Sequence, residues 1–282
     1  MLGLAARPES RLDILPILFL LFVGACTGLL AGMLGIGGGM VMVPFMTLYL
    51  DYKGFSADAV IKVAIATSLA SILFTSISNV RAQHQRGAVR WDLVRAMSPG
   101  IVAGSLVGSH FASSLPAGWL ALLFSVFIAV MSTRMLRQKK PTADGALPAA
   151  SGLLAAGGLI GGASALVGAG GAFITTPFLV KRNVPIHAAV GTSAACGFPV
   201  ALAGTAGYIL AGWSESLPQS TLGYVYLPGL LIVSAASMFT APLGVRIAHA
   251  TSSGGLKRFF SLMLYALSLY MLWRAWRVGL TF

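Results

Sequence analysis

Apolar residues run in long blocks along nearly the whole chain, and short clusters of charged, glycine or proline residues separate them. Those blocks predict helix A over about Ile14–Leu34, a short piece B over about Met40–Leu50, C over about Ala59–Val80, D over about Leu93–Phe111 and E over about Gly118–Leu136. Further along they predict F over about Ala149–Leu166, a short piece G over about Ala172–Val180, H over about Ile186–Ala211, I over about Leu222–Ile247 and J over about Leu256–Arg274. About 20 helical residues are needed to span ~30 Å of hydrocarbon, so B and G are too short to cross a bilayer alone. The stretch 138–148 holds Lys139, Lys140, Pro141, Asp144 and Gly145 and reads as a polar cytoplasmic linker. It joins a first transmembrane repeat, 14–137, to a second, 149–277, after an N-terminal tail, 1–13; the two repeats are expected to form one integrated membrane domain.

Composition removes the soluble alternatives. The 282 residues are 57% hydrophobic and 9% charged, with a mean hydropathy of +0.85, whereas soluble domains carry about 25% charged residues. Lys and Arg number 19 against 7 Asp and Glu, a formal charge of +12. In a soluble chain that excess would suggest nucleic acid. Here no basic run exceeds a pair and the charges punctuate apolar blocks, so the expected partner is the lipid bilayer and not nucleic acid. The opening, Arg7 and Arg11 before an apolar run ending at Cys26, resembles a lipoprotein signal. Any first transmembrane helix looks the same, and the apolar block continues past Cys26. If each block reverses direction, thirteen of the 19 basic residues can be placed on one side, which the cytoplasmic bias of Lys and Arg makes the inside. Both termini then lie on the outer face of a multi-pass protein of the plasma (inner) membrane.

The halves repeat each other. Gly28, Gly35, Gly37, Gly38, Pro44 and Phe45 recur 133 positions later as Gly161, Gly168, Gly170, Gly171, Pro177 and Phe178. Ala66-Thr67-Ser68 aligns with Gly191-Thr192-Ser193, and Gly108 and Phe124 align with Gly244 and Phe260. Each copy holds five pieces, an odd number, so the second enters the membrane from the opposite side. The expected fold is therefore all-α: a polytopic membrane protein of two inverted five-helix repeats, with short interrupted helices at the glycine motifs. Inverted repeats with broken helices characterise secondary transporters, whose site lies where the repeats meet.

The breaks are also the candidate site. Helical backbone can be interrupted in hydrocarbon only where the freed N–H and C=O groups find partners or line a cavity. Gly35, Gly37, Gly38 and Gly39 before Pro44, and Gly168, Gly170 and Gly171 before Pro177, place such breaks just ahead of pieces B and G. Each following helix start carries the equivalent of ~+0.5 charge. Two of them directed inward would hold a small anionic substrate without a buried arginine. Glycines spaced four apart, as in Gly24-Gly28-Gly32 and Gly100-Gly104-Gly108, read instead as packing faces. Thr67, Ser68, Thr192 and Ser193 fall at equivalent points of C and H and could donate hydroxyls to an oxyanion, or bond back to their own helices. Asn79 is a further candidate, without a polar counterpart in the second half. Cys26 and Cys196 read as small core residues. All seven acidic residues sit at helix ends or in loops, where they do not serve a cation. With the interior negative by ~100 mV, each exported negative charge gains ~2.3 kcal/mol. No catalytic, metal or cofactor motif is present among the usual patterns, which speaks against an enzyme; an intramembrane enzyme is the alternative class.

Two copies of a G-x(6)-G-x-G-G motif followed by Pro-Phe, each within a set of hydrophobic pieces, resemble the TauE/SafE sulfite exporter family of membrane permeases. The likeness covers about residues 14 to 277. It implies a permease for sulfur-containing anions such as sulfite, sulfoacetate or related organosulfonates, largely outward, without a cofactor; a non-sulfur substrate is the alternative. It carries over to Gly35, Gly37, Gly38 and Pro44, and to Gly168, Gly170, Gly171 and Pro177. Ala172 stands where the first copy has Gly39, so the second cluster is one glycine shorter.

Overall fold

The computed structural model describes residues 14–34, 38–137, 145–218, 220–250 and 253–279. Among these there are ten helices: α1 (Ile14–Leu34), α2 (Gly39–Tyr52), α3 (Ala57–Gln85), α4 (Trp91–Ser114), α5 (Ala117–Arg137), α6 (Ala150–Val167), α7 (Ala172–Lys181), α8 (Ile186–Ala211), α9 (Leu227–Ala250) and α10 (Ser253–Val278). The protein is an all-α polytopic membrane protein, and six of these helices are long and apolar enough to span a bilayer by themselves. α2 and α7 have 14 and 10 residues, too few to cross unaided. The tail 1–13 and most of the interhelical linker lie outside the described residues.

α3 and α8 form the centre. Their most apolar stretches are 78% and 56% buried, against 28% for α9, which turns its side chains outward to where lipid would lie. Around them each half embraces the other. The most extensive contacts are α4 with α6, α1 with α9, and α5 with α10, and each of these pairs joins the two halves. Small residues make them possible, since in lipid helices associate by close backbone approach. A Cβ on Gly100 would stand 2.0 Å from the Leu154 carbonyl oxygen, and one on Gly104 the same distance from that of Gly158.

The contacts obey the register of the sequence repeat. Gly24 and Gly28 of α1 lie on Val233 and Ser237 of α9; their counterparts Gly157 and Gly161 of α6 lie on Met97 and Ile101 of α4. Along α5 and α10 the pairing runs in opposite directions. Gly118 abuts the Gly279 carbonyl, Ser125 and Ser268 exchange hydroxyl-to-carbonyl bonds of 2.8 and 2.9 Å, and Ser132 donates to the Ser261 carbonyl at 2.6 Å.

A two-stranded antiparallel hairpin, β1 (Thr221–Leu222) and β2 (Val225–Tyr226), precedes α9. The sequence reading ran helix I back to Leu222; the structure starts it at Leu227. Two features displace the start: Gly223 has φ +52, which turns the chain, and the amide of Tyr226 is taken by the Thr67 hydroxyl at 3.0 Å. Burial, and then nearby Glu215, push the Tyr224 phenol up to about 12. Its ring receives the Lys62 ammonium 5.9 Å from the centroid. At the end of α2, Asp51 pairs bidentately with the buried Arg274 of α10.

The Gly104–Gly158 crossing is lopsided, because a Cβ on Gly158 would meet only the Gly100 oxygen, at 3.7 Å. Gly104→Ala should therefore cost about 2 kcal/mol, whereas Gly158→Ala should be close to neutral. Thermal unfolding of the two purified variants in one detergent checks this, and equal destabilisation would refute the packing account.

Candidate functional site

The break between α6 and α7 is fully described, and all of its backbone is buried. α6 ends on Gly168 in the left-handed conformation, φ 65, with its N–H and that of Ala169 returned to the Ser164 carbonyl. Gly171 caps α7 with φ 75. The Gly171 carbonyl accepts from the amides of Ile174 and Thr175 and, at 3.0 Å, from the Thr175 hydroxyl. In the first half Gly38 caps α2, and its carbonyl receives the amides of Val41 and Met42. Gly35 and Gly37 lie outside the described residues. Pro44 and Pro177 each occupy the sixth position of their short helix. Lacking an N–H, each leaves a carbonyl one turn earlier without its helical partner.

The breaks meet. A Cβ on Gly39 would lie 2.4 Å from the Gly168 carbonyl oxygen, so only glycine admits the contact. The fully buried Ser68 hydroxyl shares its proton between the carbonyls of Gly39, at 3.2 Å, and Gly168, at 3.0 Å. Of the hydroxyls expected from sequence, Ser68 is the one that binds both glycine clusters.

The others go elsewhere. The Thr67 hydroxyl donates to Val63 and accepts the Tyr226 amide, at the entry to α9. Its repeat counterpart Thr192 accepts the Arg90 amide at 3.0 Å, at the entry to α4. Each threonine thus caps a helix and is committed to backbone. Ser193 bonds to Thr176 at 2.7 Å and to the Val190 carbonyl. Asn79 is part-exposed, one turn of α3 beyond Thr75.

A cavity of about 10 Å³, room for about one water, opens beside the first break. Gly38 and Gly39 line it together with Thr27 of α1, Ser68, Ser71 and Thr75 of α3, and Ser237 of α9. No charged side chain is among its lining residues. Thr27, Thr75 and Ser237 donate to carbonyls of their own helices. Ser71 accepts from Ser234 at 3.2 Å. Sequence reading missed Thr27, Ser71, Thr75 and Ser237. A signal existed for two of them: Ser68, Ser71 and Thr75 follow an i, i+3, i+7 spacing, one stripe of polar groups on an otherwise apolar helix.

Residues 20–271 match the model of the family described as sulfite exporter TauE/SafE. The chain belongs to that family. It is 34% identical over 258 residues to a "probable membrane transporter protein" of Haemophilus influenzae, covering 90% of this chain and 97% of that one. A protein of the same description from Methanocaldococcus jannaschii is 26% identical over 90% of this chain and 94% of its own. Another, from Xylella fastidiosa, is 24% identical with the same coverage. No solved structure matches significantly. This TauE/SafE member is a membrane transporter and not an enzyme.

At the meeting of the breaks, Gly168→Ala would have to adopt a left-handed conformation and press on Val43 and Ile65, 3.1–3.3 Å away. It should cost about 2 kcal/mol or more. Ser68→Ala, which removes the donor shared by the Gly39 and Gly168 carbonyls without crowding, should cost about 1–2 kcal/mol. Chemical unfolding in detergent reports both, and a Ser68→Ala variant as stable as the parent would show that the bridge is idle.

Proposed function

We propose that this protein is a secondary transporter that exports a small anion, sulfur-containing by preference, across the plasma (inner) membrane. The observation that carries this reading is the buried contact of Gly39 with Gly168 under the Ser68 hydroxyl. There the start of α2 meets the left-handed end of α6, three residues before the Gly171 cap of α7, and in this reading the dipole ends of the two short helices favour negative charge without a fixed cation. The backbone amides about Gly38, Gly39, Gly170 and Gly171 are the groups that would hold the anion, and Pro44 and Pro177 each free a carbonyl inside the short helix that follows.

In this reading the repeats are inverted about an axis in the membrane plane. The antiparallel register of α5 and α10 supports it: they are counterparts, and the Ser125–Ser268 pair maps onto Ser261–Ser132. Alternating access would then rock one repeat against the other about the contact of breaks. The sulfur preference rests on the description of the family. Outward movement is favoured by voltage, at ~2.3 kcal/mol per charge per 100 mV.

Two experiments test the proposal. Purified protein in liposomes should move sulfite or an organosulfonate down an imposed voltage without a proton gradient, and carboxylates more slowly; flux that requires the proton gradient and ignores voltage would overturn the uniport reading. For orientation, single cysteines at two exposed positions, Lys53→Cys and Arg86→Cys, can be placed in a chain whose Cys26 and Cys196 are alanine. An impermeant maleimide should label the first on intact cells and the second only after lysis, and the reverse result would invert the topology.

A further inference from the structure

Three buried hydroxyls have no hydrogen-bond partner among the described residues: Ser105 of α4, Ser164 of α6 and Thr205 of α8. Buried polar groups in native proteins are nearly always bonded, so each exception calls for a reason. A helical serine or threonine always has an acceptor at hand, the carbonyl three or four positions earlier. Thr27, Thr75, Thr175 and Ser237 all use it. The Ser164 hydroxyl does not, although the residue is fully buried. It is turned toward Gly171, the cap of the ten-residue α7, where a Cβ would stand 3.1 Å from its oxygen.

Ser164 thus serves both sides of the second break. Its carbonyl closes α6 by accepting the amides of Gly168 and Ala169, and its hydroxyl faces the opening of α7. The first amides of α7, those of Ala172 and Phe173, find no backbone acceptor among the described residues. The neighbouring hydroxyls are committed: Thr175 to the Gly171 carbonyl, Ser193 to the Val190 carbonyl, and Thr176 to Ser193. What remains is a set of donors around one helix start, and a ligand with several acceptor oxygens matches it. Resting on the transport reading above, we infer that Ser164 is a side-chain donor of the anion site, binding one oxygen of an oxyanion while the amides at the start of α7 bind another. The amides about Gly38 and Gly39 serve the same anion from the first repeat, where Ala31 stands in the place of Ser164. Ile160 and Val200 lie 3.4 Å from the Gly171 Cβ position, so the anion reaches the hydroxyl as the repeats rock apart. Binding then gives a costly unpaired hydroxyl its partner.

The test uses the full chain, with methanesulfonate or sulfite as the probe, whichever the wild type carries faster. Ser164→Ala should lower flux into liposomes about tenfold, and raise about tenfold the probe concentration that protects the detergent-purified protein against heat. Without the probe the same variant should unfold at the wild-type temperature or above, because the hydroxyl it removes bonds to nothing. Ser164→Cys, similar in volume and a poor donor, should lose flux in the same way. Ser105 lies against Gly161, one turn of α6 away from this start, so Ser105→Ala should stay within about twofold of wild type. A Ser164→Ala variant with wild-type flux and probe dependence would overturn the inference, and so would one destabilised without the probe, since both are what a packing serine or one holding a water gives. Equal losses in Ser105→Ala would overturn the assignment to the start of α7. Wild-type protein that carries neither probe would overturn the transport reading itself.

Discussion

A helix that stops inside hydrocarbon leaves amides and carbonyls that no water can satisfy, and this protein stops two of them in its buried centre. The described structure answers that constraint by placing one break against the other. Gly168 turns left-handed so that its amide returns to α6, its carbonyl faces Gly39, and the Ser68 proton covers both carbonyls. A side chain at Gly39 would force the breaks apart. α3 supplies Ser68 and, with α8, fills the middle; the other helices are arranged around that pair.

Holding the breaks together is a task for both repeats at once. α1 grips α9 and α6 grips α4 through glycine faces in matching register, so neither half has a complete packing surface without the other. Thr67 and Thr192 add a second tie of the same symmetry: each reaches from a central helix to cap the fourth helix of the opposite repeat, at Tyr226 and Arg90. The symmetry is relaxed at the periphery, where Arg274 fastens α2 to α10 through Asp51 and Val184 stands in the corresponding place after α7.

Backbone symmetry and side-chain asymmetry divide the work. A duplicated backbone provides two helix starts, one in each half. Side chains then differ, with Thr27, Ser71, Thr75 and Ser237 beside Gly38 and the Ser164 hydroxyl, Ile160 and Val200 beside Gly171.

Helices, breaks and the duplication were legible in the sequence because each depends on local facts. Apolar block length sets a span, glycine permits a left-handed turn, and repeated spacing survives as repeated spacing; α1 and α8 therefore begin and end where their blocks do. Roles of individual hydroxyls were not legible. Thr67 and Ser68 are neighbours of similar chemistry, yet adjacent helical positions point about 100° apart. One therefore meets the α9 entry and the other the glycine breaks, and only the positions of α9 and α6 decide which. Thr27 and Ser237 were invisible for the same reason, since 210 positions separate them in the chain and the α1–α9 crossing unites them. Local sequence determined where the helices form and break; the packing of distant helices decided which polar atoms those breaks would see.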